Sequence, residues 1–332
     1  MKTVIASMWF GSDYSDVIAA WALYKYLEKL GYEPVLLSKP LDLPGNGENL
    51  IARKFIGKHC TVLPILRNQD DYDNIVSEFD TFLSFGGRMW NYADTVDCGH
   101  YFYLDFVPDS KKKIAYGAGF AGKYTAPDDY WERARYYLSA FAGVSAASDA
   151  DASVIKKKLG NKAAAVCGPE FLLKAEDYLS LVPGSVFGNN VLNADDSDTD
   201  NKKDFIAAMI RESDPLKTYI LNETAAYAGV SVKEVGNVSV EEYIWYIANC
   251  KSVITDSYAA AVLALILNKP FAVLTSYLDL DNNRLIELLD EFGLSSVIVD
   301  KNIRYVGYKK ILCEPPAPCQ RINNYIKYIS AK

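Results

Sequence analysis

Asp256 and Ser257 are the residues of this chain best placed to do chemistry. They stand between a β-branched run (Val253, Ile254, Thr255) and an apolar helical pattern that Asn268 and Pro270 stop. Either side chain is of the type that caps a helix by accepting an N–H of its first turn. A strand that passes directly into a capped helix leaves backbone N–H groups and the positive end of a helix dipole at the strand's carboxyl edge. Open α/β sheets place small anionic ligands there. Arg284 falls at the start of a second helical pattern, LDNNRLIELLDEFGL, where a cation opposes the helix dipole. Its placement is explained either by an anion that it reaches or by a surface salt bridge.

Arg88 lies in SFGGRMWN, directly after a strand pattern over 81–84. Two glycines permit a tight turn, and Arg88, Trp90 and Asn91 would project at the strand's carboxyl end. The alternative is a turn closed by an aromatic packing plug. Gly117, Gly119 and Gly122 follow the next strand in a GxGxxG spacing. A dinucleotide site would need a helix opening inside the motif and an acidic residue on the following strand. Five residues, 123–127, intervene before the helix, so the loop instead lets backbone approach a ligand or a neighbouring backbone. His100, beside Cys98 and Tyr101, is the more interesting of two isolated histidines, as a candidate catalytic group or a plain surface residue. Cys313 and Cys319 straddle EPPAP without a second pair or nearby histidine, which reads as a linker and not as a metal site.

The elements that must position these residues alternate strand and helix. A strand over 3–8, a helix over 17–30 closed by Gly31 and a strand over 34–37 open a parallel βαβ unit. Strands follow over 81–84, 113–117, 144–146 and 163–167, with helices over 128–142 and 149–159. The second series has a strand at Val186, a helix over 202–211, strands over 218–221 and 232–235, and a helix over 240–249. Strand 252–255 and its helix come next, then strand 271–275, helix 282–292 and strand 296–299. A Gly-, Asn-, Asp- and Ser-rich stretch beginning at Val182 separates the series. The domains are expected at 1–182 and 183–312, with a proline linker and terminal helix over 313–332. Two doubly wound parallel-sheet halves would form a cleft lined by strand carboxyl ends.

The chain's 332 residues fit two cores better than one. A net charge of −7 argues against a nucleic-acid partner. No apolar run reaches the length of a membrane span. The N-terminal segment reads as a first strand, and six scattered cysteines predict reduced thiols in the cytoplasm.

FLSFGGRMWN, YFYLDFVPDSKKKIAYGAGF, VITDSY followed by LILNKPF, and NNRLIELLDEFGL resemble, in order and spacing, the polysaccharide pyruvyltransferase family across nearly the whole chain. The resemblance implies two Rossmann-like halves arranged as in GT-B glycosyltransferases, an acceptor-side N-terminal domain and a donor-side C-terminal domain. It implies transfer of a pyruvyl group from phosphoenolpyruvate, as donor substrate with no further cofactor, onto two hydroxyls of a cell-surface polysaccharide sugar. A sugar or lipid-linked oligosaccharide would be the acceptor, with attachment to the inner membrane face and self-association as further expectations. Arg284, Asn283, Asp256 and Ser257 match family positions for donor binding. The family pattern usually has His where this chain has Ala259, Arg-Glu where it has Ala147 and Ser148, and Asp where it has Gly168. A replacement acid would come from His100, Tyr258 or Asp256. The other reading is a degenerate member that binds glycan or partners an active transferase.

Overall fold

The structure, a computed structural model, describes residues 1–11, 13–43, 49–182, 205–211, 213, 215–274 and 283–299. The chain divides into two compact units, Met1–Leu172 and Leu173–Lys332. The first runs β1 (Lys2–Ala6), α1 (Tyr14–Lys29), β2 (Glu33–Leu36), α2 (Leu50–His59), α3 (Gln69–Glu78), β3 (Thr81–Phe85), α4 (Tyr92–Thr95), β4 (Lys112–Ala118), α5 (Asp128–Leu138), β5 (Gly143–Ala146), α6 (Asp149–Val154) and β6 (Ala164–Ala165). The second runs α7 (Ala175–Leu179), β7 (Phe205–Met209), α8 (Pro215–Ala228), β8 (Ser231–Glu234), α9 (Val240–Asn249), β9 (Ser252–Thr255), α10 (Tyr258–Ile266), β10 (Phe271–Leu274), α11 (Asn283–Glu291) and β11 (Ile298–Val299).

Both sheets are parallel throughout and wind the same way. The first has strand order β2-β1-β3-β4-β5-β6 and the second β11-β10-β9-β7-β8. In each, the first described strand is flanked by the second on one side and the third on the other. The winding therefore reverses between β1 and β3, and again between β7 and β9. These reversal points are where an open parallel sheet leaves a crevice at its carboxyl edge.

Two elements differ from expectation. Residues 202–211 were expected to be helical, but the segment holds strand β7, with Phe205–Met209 buried throughout. A short apolar run fits a fully buried strand and a buried helix equally, and here its place between β8 and β9 in the sheet decides. Residues 218–221, expected as a strand, belong instead to α8. Pro215 occupies the first turn, where its missing N–H costs nothing, and the helix continues through Ala228. Leu221 and Ala225 of that helix pack on Ile206, Ile254 and Ala272 of the sheet. Helices α2, α3, α4 and α7 stand where no element was expected. Val186, the rest of the Gly/Asn/Asp-rich stretch, the proline segment with Cys313 and Cys319, and the terminal helix lie outside the described residues.

Helix α10 is apolar on every side and its residues 259–265 are all buried, as a helix packed deep against a sheet must be. No described helix is long and apolar enough to cross a membrane.

Candidate functional site

The reversal point of the second sheet brings together the ends of β7 and β9. Thr255, the last residue of β9, donates its hydroxyl to the Met209 carbonyl of β7 at 2.7 Å and accepts the Ser257 N–H at 2.8 Å. That hydroxyl ties the turn into α10 to the neighbouring strand. Asp256 reaches across the same gap. Its carboxylate accepts the Arg211 N–H at 2.7 Å and the Lys217 ammonium at 2.7 Å, with both side chains of the ion pair 2% exposed.

Ser257 holds the N-cap position of α10, yet its side chain makes no capping bond. The expected cap by Asp256 or Ser257 is thus corrected. The Asp256 carboxylate is drawn to Lys217 and Arg211, and the Ser257 hydroxyl faces the Tyr243 hydroxyl at 3.3 Å. Tyr258 opens α10, and the Arg284 guanidinium lies over its ring, 4.0 Å from the centroid. A guanidinium on an aromatic face is held there by the ring quadrupole. The crevice thus has a cation and a helix N-terminus side by side. Asn283 begins α11, next to Arg284 in the chain. Ala259 is 3% exposed in the first turn of α10.

In the first unit the loop after β3 folds onto the loop after β4. Gly119 donates to the Gly86 carbonyl at 3.2 Å and its own carbonyl accepts the Trp90 N–H at 3.1 Å. A Cβ at Gly119 would lie 2.4 Å from the Gly87 oxygen, so this glycine is required by neighbouring backbone. Gly117 adopts φ +54, a left-handed conformation that favours glycine, and donates its N–H to Ser145 Oγ at 3.0 Å. The Phe120 N–H is held by Asp151, whose carboxylate also takes the Ser148 hydroxyl at 2.7 Å.

Trp90 and Asn91 do not project toward a ligand, which corrects the expectation for both. Trp90 is fully buried, stacks on Tyr103 at 4.8 Å and donates its indole N–H to the Phe102 carbonyl. Asn91 is 1% exposed. It caps α4 by accepting the Ala93 N–H, and it donates to Asp94 at 2.9 Å. The aromatic plug is the observed arrangement. Arg88 keeps partial exposure and donates to Asp94 at 2.9 Å. Burial works against its charge, but Asp16, Asp94 and Asp13 outweigh it and hold the guanidinium above its usual range.

His100 is 7% exposed. Its ring stacks on Tyr130 at 4.5 Å, and Nε2 lies 3.2 Å from the Tyr130 carbonyl. Burial lowers its pKa below 6.5 despite that bond. It is a core imidazole in a tyrosine cage, not the catalytic acid expected of it. The thiol of Cys98 is likewise pushed up to about 12 by burial, which leaves it unreactive.

Lys217 and Arg211 were missed. Lys217 is two residues beyond Pro215, in a helix's first turn, where a cation runs against the dipole just as Arg284 does. The assignment of 218–221 to a strand hid that signal.

Of the expected site residues, Asp256, Ser257 and Tyr258 stand at one turn of the second unit, where Tyr258 meets Arg284. Arg88, Gly117 and Gly119 lie in the first, and His100 stands apart in the core.

No curated protein matches the chain. Among solved structures it is similar to the S. aureus MnaA–UDP co-structure, at 14% identity and a TM-score of 0.53, with 100% of this chain and 97% of that chain covered. It is also similar to the UDP-GlcNAc 2-epimerase from Methanocaldococcus jannaschii, at 12% identity and a TM-score of 0.51, with 100% of each covered. At such identities the likeness is one of fold, and that fold is GT-B-like. The polysaccharide pyruvyl transferase family model matches residues 16–276. That span runs from α1 past β10 and includes the Asp256–Tyr258 turn, and it makes this chain a member of the polysaccharide pyruvyl transferase family.

Proposed function

We propose that the protein transfers the pyruvyl group of phosphoenolpyruvate to two hydroxyls of a sugar in a cell-surface polysaccharide, forming a cyclic ketal. The observation that carries this reading is the Arg284 guanidinium held 4.0 Å over the Tyr258 ring at the start of α10. The donor presents a carboxylate and a phosphate, and a guanidinium beside a helix N-terminus suits either. The reaction protonates the donor's methylene carbon, one sugar hydroxyl adds to the resulting cation and gives up its proton, and a second hydroxyl replaces the phosphate at the same carbon, releasing inorganic phosphate and closing the ketal. Asp256 is tied down by the Lys217 ammonium and the Arg211 N–H, so its role is to hold the crevice ordered. With His100 buried in the core, the Tyr258 phenol is the donor of the proton to carbon. The acceptor is a sugar or lipid-linked oligosaccharide handled at the cytoplasmic membrane face, in exopolysaccharide synthesis.

A second reading is favoured by Ala259, whose buried methyl group replaces the family's usual imidazole. Loss of a proton-transfer group costs on the order of 10²–10⁴ in rate, and such a chain would bind glycan or support an active transferase. Calorimetry with phosphoenolpyruvate, coupled to phosphate release over a panel of glycan acceptors, separates the two. We expect donor binding that Arg284→Gln weakens about tenfold or more, and phosphate release that Tyr258→Phe lowers at least about a hundredfold. Absence of donor binding rejects the transfer reading. Release that appears only in Ala259→His supports the degenerate one.

A further inference from the structure

The reversal point of the first sheet has two buried polar groups that the described chain does not satisfy. β1 and β3 pair with Ala6 opposite Ser84, so Ser7, one residue past β1, leaves the sheet beside Phe85, the last residue of β3. Ser7 is 3% exposed, and its hydroxyl has no hydrogen-bond partner among the described residues. Arg88 stands three residues beyond Phe85. Its Nη2 donates to the Asp94 carboxylate at 2.9 Å, while its Nε is buried and has no partner among the described residues. Helix α1 opens at the same sheet edge. Asp13 caps it, accepting the Ser15 N–H at 2.9 Å, and Asp16 lies in its first turn. The charges of Asp16 and Asp13 bear on the Arg88 guanidinium, which brings the start of α1 to the same crevice. A buried hydroxyl or N–H left unpaired costs stability, and a native chain seldom keeps two at one sheet edge without a use for them.

We propose that this crevice binds a sugar through adjacent ring hydroxyls. The Arg88 charge is already met by Asp94, so what it offers a ligand is N–H donors and not a net positive field. The N-terminus of α1 is likewise taken by its own Asp13 cap, which leaves little to attract an anion. A sugar hydroxyl both donates and accepts, and the crevice supplies both kinds of partner. The guanidinium donates, the Asp13 and Asp94 carboxylates accept, and the Ser7 hydroxyl does either. The Arg88 side chain is 42% exposed and is the group an incoming ligand reaches. The sugar site stands on this geometry alone. Its identification as the subsite that seats the acceptor glycan rests on the transfer reading above.

Saturation-transfer NMR of the full-length protein with the methyl glycosides of glucose, galactose and mannose tests it, followed by titration with the glycoside that responds. Affinity is expected to fall at least about tenfold in Arg88→Met and about fivefold in Ser7→Ala, and to persist in Arg284→Gln. Ser7→Ala also separates binding from a purely structural role. Deleting an unpaired hydroxyl leaves the thermal midpoint unchanged or raised, whereas a hydroxyl that serves the fold lowers it when removed. Arg88→Met gives up one half-exposed ion pair, which contributes little to stability, and circular dichroism verifies its fold. No saturation transfer to any of the three glycosides, binding that survives both substitutions, or displacement of the glycoside by inorganic phosphate overturns the proposal. A lowered thermal midpoint in Ser7→Ala does so as well. Phosphoenolpyruvate binding is a separate measurement, and its absence sinks the transfer reading while leaving the sugar site standing.

Discussion

Lys217 and Asp256 form an ion pair from which water is excluded, with a 2.7 Å bond and 2% exposure on each side. Such a pair is worth little against a well-packed apolar one, but removing a single partner strands a buried charge. Lys217→Met is therefore expected to lower the unfolding free energy by about 3–5 kcal/mol in urea denaturation. Lys217→Met/Asp256→Leu should recover part of that loss, and a double variant as unstable as the single one would contradict the account. His100 carries a pH signature. Burial lowers its folded pKa below the ordinary 6.5, so as pH falls through that window the unfolded chain takes up the proton first. Stability rises with pH there and declines below about 6.5. His100→Phe should remove that part of the slope when denaturation midpoints are compared across pH. At this scale the sequence exposes Asp256, Ser257, Tyr258 and Arg284, because a polar turn after a β-branched run and a cation in a first helical turn are local signals. It does not separate Arg88 from Trp90 and Asn91. All three sit in one loop, and whether each faces solvent depends on Phe102, Tyr103 and Gly119 from other parts of the chain.

Among the elements, α9 shows how fully a helix can be written locally. Ser239 accepts the Glu242 N–H at 3.2 Å, and Glu242 returns a bond to the Ser239 N–H at 2.8 Å. Ser239→Ala is expected to cost about 1 kcal/mol, read as a lowered thermal midpoint. The expected limits of this helix, 240–249, are those observed. The same holds for β9, at 252–255. The failures are just as physical. FIAAMI carries no periodicity that distinguishes a two-sided buried strand from a buried helix. TYIL has strand-like residue types, and tertiary packing of Leu221 on the sheet overrides that preference. Helix α3 is mostly polar, with Ile75 its single buried residue, so it lacks an apolar stripe to read.

For the whole molecule, alternation of strand and helix announces a parallel α/β architecture, and the family resemblance supplies the rest. What alternation cannot supply is strand order, since that is set by which helices cover which face. Both sheets adopt the order in which the first strand lies between the second and third. This has a consequence for how the protein is made. Synthesis runs from the N-terminus, so the ribosome releases the interior strand of each sheet ahead of its neighbours. Phe205–Met209 has buried residues throughout and pairs on one side with Ser231–Glu234 and on the other with Ser252–Thr255. Until those segments emerge, neither hydrogen-bonding edge of the strand has the partner described for it. Non-local parallel pairing of this kind folds slowly and leaves sticky chain exposed, so the stretch FIAAM is the part of the nascent second unit most in need of shielding by a chaperone.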